Sequence, residues 1–411
     1  MKAASVTVTQ SAFIWNAIGN LMMSCLSFVF SISITQIQGI EELGIYSIVY
    51  AVVNLLYTIG IYNMRTYQVT DRSNQYHFSD YLYTRIVTMI VMGILAIITC
   101  IVRKYNGTMC IILFLLLVFN AVEALADVYH GMLQIHGQIA VTGKCRTIRS
   151  SVSGVLFVTV LYVSRHLITA LASITILNIL LFIALDLMAA KKSMEPLGTV
   201  NIKKIKQLIY KCTPLFLSAF CSMYYLNASK YAIDKHLGLE LQGLFNILYM
   251  PTFVLNLCTG FLIQPLLPLL AQKWEERKVK EFKKMVYQVI LGIAVFTMIV
   301  QVGGYFIGVP ILSVLYSVDL GNYKMEFLIL LLAGGLMAMA NILQIGLTVI
   351  REQGKILASN IVGCLFMLGV SDWAVKQKGF DGAIWINVYL GGLLVIILYM
   401  IFCKTTNKKE I

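Results

Sequence analysis

Long apolar runs separated by short polar links dominate the chain, and about twenty consecutive apolar residues are what an α-helix needs to cross a bilayer. Twelve runs meet that need. The first six are expected at 12–37, 43–64, 83–102, 109–133, 147–164 and 167–190. The second six are expected at 212–233, 241–270, 285–309, 327–350, 356–375 and 384–403. The longest cytoplasmic link, 191–211, falls at the centre. Residues 1–190 therefore read as an N-terminal lobe, 191–211 as a linker, 212–403 as a C-terminal lobe and 404–411 as a tail. The stretch from Gly44 to Tyr50 matches that from Gly243 to Tyr249 in character at an offset of 199 residues, as an internal repeat would. Six spans is an even number, so the two halves share one orientation and would be related by an axis along the membrane normal. The expected class is an all-α integral membrane protein, with twelve transmembrane helices in two six-helix lobes around a central cavity.

Composition narrows the function. Of 411 residues 59% are apolar and 12% charged, where a soluble domain carries roughly a quarter charged, so little is left for a soluble domain. The balance of 32 Lys+Arg against 19 Asp+Glu would suit nucleic acid if the cations formed one patch. They are dispersed among the links instead, as suits anionic membrane lipids, and no nucleic-acid partner is expected. With a cytoplasmic N-terminus the links split these cations 23 inside to 7 outside, which the positive-inside rule favours strongly. Both termini are therefore expected in the cytoplasm. The first ten residues carry only Lys2 and lack a basic region before a cleavage site, so the first run reads as a retained span. Nine cysteines without metal-ligand spacing argue against zinc, haem or a disulfide framework. No phosphate-loop, H-E-x-x-H or G-x-S-x-G motif occurs. No cofactor and no enzymatic activity are expected.

Charges inside the apolar runs carry the candidate chemistry, because each costs several kcal/mol near the bilayer centre unless paired or hydrated. Span four holds Glu123 and Asp127 four residues apart, and His130 and Gln134 extend the stripe on the same helical face. Such a stripe either lines a wet cavity, where it binds protons, cations or sugar hydroxyls, or is satisfied against neighbouring helices of its own lobe. Lys230 lies within span seven close to Asn227, placed either to attract a phosphate or to anchor at the outer interface. Arg65 ends span two and Arg85 begins span three. They either grip phosphate at the cytoplasmic mouth or pair with Asp71 and Asp80. Arg149, with Lys144 and Arg146, precedes or opens span five. The mixed-charge segment 274–287 reads as an interfacial helical extension of span nine.

The stretches Leu43-Gly-Ile-Tyr-Ser-Ile-Val-Tyr-Ala-Val-Val-Asn54 and Met64-Arg-Thr-Tyr-Gln-Val-Thr-Asp71, with the later Gln134-x-x-Gly137 and Arg149, carry a family look. The chain resembles the Wzx-type oligosaccharide flippases of polysaccharide biosynthesis, in the multidrug/oligosaccharidyl-lipid/polysaccharide exporter superfamily. The resemblance implies a MATE-like fold in the bacterial cytoplasmic membrane and an undecaprenyl-pyrophosphate-linked oligosaccharide as cargo for capsule, O-antigen or wall glycopolymer. It also implies glycosyltransferases and a polymerase of the same pathway as partners, and leaves proton or sodium coupling open. By position Arg65, Arg85, Arg149, Lys230 and Asn227 are the candidates for substrate binding, and Glu123 and Asp127 for cation coupling. The chain departs from the fourteen-span lipid II flippase branch, and its first span lacks the acid of drug-exporting relatives. The rival readings are a cation-coupled drug exporter and a membrane-embedded polymerase or ligase.

Overall fold

The computed structural model describes residues 10–71, 75–191, 193, 194, 196, 198–263 and 266–407, the side chains of 10–13, 257, 258, 261 and 262 excepted. Lys2, Arg72, Lys192, Lys408 and Lys409, five of the 23 inside cations, lie outside the described residues. Every regular element among those residues is helical. In chain order they are α1 (Gln10–Gln38), α2 (Ile40–Ile61), α3 (Met64–Thr70), α4 (Phe78–Arg103), α5 (Gly107–Ile135), α6 (Ile139–Ser164) and α7 (Leu167–Leu181). A π-helical turn, Phe182–Leu187, joins α7 to α8 (Met188–Ala190). Then come α9 (Ile202–His236), α10 (Leu239–Ile263), α11 (Leu267–Glu275), α12 (Val279–Gly303), α13 (Val309–Tyr316), α14 (Lys324–Val349) and α15 (Gln353–Asn407).

Among the described residues nine helical stretches are long and apolar enough to cross a membrane. The last of these is two helices, because Gly379 leaves helical geometry with a positive φ of 57°, a conformation glycine adopts without a Cβ clash. With α9 and α10 the twelve expected helical segments are present. The protein is a multi-pass membrane protein.

The helices form two compact units: 45–220 with residues up to 39, and 221 onward with Ile40–Gly44. In the first unit α5 is the central helix, packed on α3, α4, α6, α7 and the π-turn. In the second, α14 has that place, packed on α10, α11, α12 and α15. The glycine repeat has a structural counterpart in the second unit. A Cβ on Gly44 would press on the Leu239 carbonyl, and one on Gly243 on the Ile40 carbonyl, which stand at the same 199-residue offset.

Three local expectations are corrected. Span two does not run through to Met64: the helix stops at Ile61, Tyr62 and Asn63 both take left-handed conformations, and Arg65 falls in the first turn of a separate short helix. Stacking of Tyr62 on Phe216, with ring centroids 4.2 Å apart, and its hydroxyl contact with Thr213 at 3.1 Å hold the break. Span five starts earlier, at Ile139, so Arg149 sits within a helix. The segment 274–287 is not one extension. Trp274 belongs to α11, Arg277 turns the chain with a positive φ, and the apolar Val279, Phe282 and Val286 are buried, the last two in one core with Phe402.

Candidate functional site

The polar stripe of α5 organises the first unit. Each of its four side chains meets a group from another helix, because in a membrane lobe an unpaired carboxylate would bear the full cost of lost hydration. Asp127 accepts from two arginines, Arg65 of α3 at 3.1 Å and Arg85 of α4 at 3.0 Å. Gln134 accepts from Arg65 at 2.9 Å. Glu123 pairs with Arg149 of α6, whose other donor reaches Asp186 of the π-turn at 3.2 Å. His130 meets Asp186 at 2.5 Å. Asn178 of α7 ties this group together, accepting from Arg149 at 2.8 Å and donating to Glu123 at 3.1 Å.

The arginines differ in what they leave free. Arg85 is fully buried and also donates to the Gly60 carbonyl at 2.9 Å, an acceptor orphaned where α2 stops. Thr88 donates to the same oxygen at 2.7 Å. Arg85 thus ties a helix end to Asp127. Arg149 is also buried and engaged on every side. Arg65 alone of the three keeps a partly open side chain, 24% exposed. It lines a cavity of about 390 Å³ with Ile61, Asn63, Thr66, Val69, Thr70, Asp127 and Gln134. The break after Ile61 turns Asn63, Arg65 and Thr66 into this cavity's wall. The cavity joins one guanidinium and one carboxylate to amide and hydroxyl groups, which is chemistry for an anion flanked by hydroxyls.

The expected pairing of Arg65 and Arg85 with Asp71 and Asp80 is not what the chain does. Asp80 binds Lys204 at 3.0 Å and Asp71 accepts from Tyr81 at 3.2 Å. Lys230 and Asn227 belong to the second unit. Lys230 is buried, 8% exposed, and donates to Asn246 at 2.9 Å beneath the Tyr249 ring, so it is no interfacial anchor. Asn227 donates to the Met223 carbonyl of its own helix at 3.0 Å. Outside the spanning helices, the Lys278 ammonium holds the Glu276 carboxyl below its usual range by a hydrogen bond.

Residues 39–320 match the sequence profile described as polysaccharide biosynthesis protein, more than half of the chain. The chain belongs to that family. This polysaccharide biosynthesis protein is 22% identical over 338 residues to the capsular polysaccharide biosynthesis protein CapF of Staphylococcus aureus, covering 81% of this chain and 83% of that one. Its fold is that of MATE transporters. An inward-facing multidrug resistance MATE family transporter of the MOP superfamily superposes with a TM-score of 0.66 at 13% identity, over 96% of this chain and 95% of that one. The Vibrio cholerae MATE transporter VcmN in its bent form gives 0.62 at 12% identity, over 100% and 99%.

Asp186 and Asn178 were missed in the sequence. The signal was present: Asp186 is the lone acid of the run 167–190. Its nearness to Lys191 makes it look interfacial, whereas the π-turn carries it inward to 0% exposure.

Proposed function

We propose that this polysaccharide biosynthesis protein is a flippase. It moves an undecaprenyl-pyrophosphate-linked oligosaccharide from the inner to the outer leaflet of the bacterial cytoplasmic membrane by alternating access, with both termini cytoplasmic. The lobes are 1–190 and 212–403, and 191–211 links them. The observation that carries this reading is the cavity holding Arg65, Asp127 and Gln134 in a chain of this family and fold. A pyrophosphate and its sugar hydroxyls cannot enter hydrocarbon without losing water, at several kcal/mol for each unpaired polar group. A protein wall with a partly free guanidinium and several hydroxyl and amide groups replaces that water, while the isoprenoid tail stays in lipid.

Arg65 is the residue that touches the anion. Arg85 and Arg149 hold the acids and the broken helix in place, so they act on the cargo by positioning. Lys230, with Asn227 nearby, supplies the cationic site of the second lobe. Glu123 and Asp127 carry the coupling role. The test is translocation of the lipid-linked oligosaccharide in proteoliposomes. Arg65→Ala, Arg85→Ala and Lys230→Ala each reduce it while the protein still reaches the membrane; wild-type rates in all three refute the site. Drug efflux with no polymer defect on deletion would favour the exporter reading.

A further inference from the structure

Glu123, Arg149, Asp186 and His130 form a sealed group beside the cavity, and its titratable member has an unused nitrogen. His130 is 1% exposed and Asp186 0%. Asp186, when ionised, only accepts, so the contact at 2.5 Å requires His130 to donate through Nε2. Nδ1 of His130 has no hydrogen-bond partner among the described residues although it is buried. In the neutral ring that nitrogen carries a lone pair. It is a vacant base inside the lobe.

We propose that His130 Nδ1 is a proton-binding site whose occupancy sets the affinity of the neighbouring cavity for an anionic pyrophosphate headgroup. This rests on the flippase reading and names the regulation of the same site. The step balances simply: Nδ1 takes one proton, the ring becomes imidazolium, and Nε2–H remains on Asp186. The charge on Glu123, Arg149, Asp186 and His130 together then changes from −1 to 0. A metal cation does not fit as the alternative ligand. Glu123 Oε1 and both Asp186 oxygens already receive N–H donors from Arg149, Asn178 and His130, and no group of three metal-binding side chains occurs among the described residues.

The coupling runs along α5. His130 lies three residues after Asp127 and four before Gln134, the two α5 side chains that hold Arg65 at the cavity. The charged groups around His130 are Arg65 from α3, Glu123 and Asp127 from α5 itself, Arg146 and Arg149 from α6, and Asp186 from the π-turn, with Arg85 of α4 reaching Asp127. Burial disfavours the charged ring, Asp186 in contact attracts the proton, and Arg146 and Arg65 farther off repel it. A negative headgroup seated on Arg65 cancels part of that repulsion. Anion and proton therefore favour each other, and the linkage is reciprocal.

The test is calorimetry of inorganic pyrophosphate binding to the full chain in lipid nanodiscs, in buffers of different ionisation enthalpy, which counts protons taken up per anion. Wild-type protein takes up more protons than His130→Gln, by up to one per anion, and its affinity falls about tenfold more than the variant's as pH rises through the His130 titration, within the range usual for coupled sites. Gln at 130 keeps a donor for Asp186, and thermal unfolding confirms that the variant is folded. Asp186→Asn gives the same loss of proton uptake. Equal uptake in wild type and His130→Gln, with binding still weakened by Arg65→Ala, overturns this proposal and leaves the flippase reading standing. Pyrophosphate binding that Arg65→Ala does not weaken, or no binding, overturns the cavity assignment and the linkage with it. Titration of ¹⁵N-labelled histidines then judges the proton site alone: a ring signal that titrates in wild type and vanishes in His130→Gln is expected, and its absence overturns the site.

Discussion

The two units solve the same packing problem with opposite chemistry. Each surrounds a central helix, α5 in the first and α14 in the second. Helix α14 carries charge only at its start, Lys324 and Glu326, and closes on its neighbours through small residues: Gly334 faces Thr252, Gly335 faces Thr297 and Gly346 faces Phe402. Helix α5 buries Glu123 and His130 and holds Asp127 partly buried, each met by a cation or an acid from a neighbouring helix. Among the described residues the ion pairs of the second unit, such as Lys235 with Asp372 and Lys278 with Glu276, lie on exposed or partly exposed side chains. A central helix in this fold thus needs no ions, and buried pairs are often no more stable than well-packed apolar groups. The charges of α5 are therefore not a requirement of the packing, and one of them, Asp127, lines the cavity at Arg65.

The largest effect expected is in the first unit. Arg149→Ala leaves Glu123 and Asp186 without their shared cation and lowers stability by about 3–5 kcal/mol, read by thermal unfolding in detergent. Neutralising the group together, as Glu123→Gln, Arg149→Met and Asp186→Asn, restores much of that stability and leaves transport lost. If the triple variant unfolds as readily as Arg149→Ala, the charges are structural and the contrast between the units fails. Next comes the second unit: Gly335→Leu drives a side chain into Thr297 and costs about 1–3 kcal/mol by overpacking. Its translocation per folded molecule stays near wild type. Arg65→Ala reverses that pattern. Its stability changes by less than about 1 kcal/mol, as for other partly exposed pairs, and translocation falls at least about tenfold. The smallest effect is at the turn before α12. Because the Glu276 carboxyl is lowered in the folded state, its pairing with Lys278 stabilises above the usual carboxylate range and is lost as pH falls through the lowered value. Lys278→Ala removes that acid-side slope from an unfolding titration.

The twelve helical segments were legible because each apolar run sums over many residues. Single positions were harder. The stripe from Glu123 to Gln134 could be read from helical spacing alone, but its partners could not, since Arg65, Arg149 and Asp186 lie on other helices. The break at Tyr62 and Asn63 carries no proline or glycine; Phe216 and Thr213, some 150 residues on, hold it. The inward turn of Asp186 depends on one π-helical turn, and a 3.6-residue period does not foresee an added residue.

As proposed, the protein carries a lipid-linked glycan across the membrane. The most direct test is to locate lipid-linked repeat units by leaflet in cells that lack the protein and in cells complemented with wild type or Arg65→Ala. Accumulation on the inner leaflet, cleared by wild type and not by Arg65→Ala, is the predicted result. Accumulation on the outer leaflet, as loss of a polymerase would give, or an unchanged distribution would contradict it.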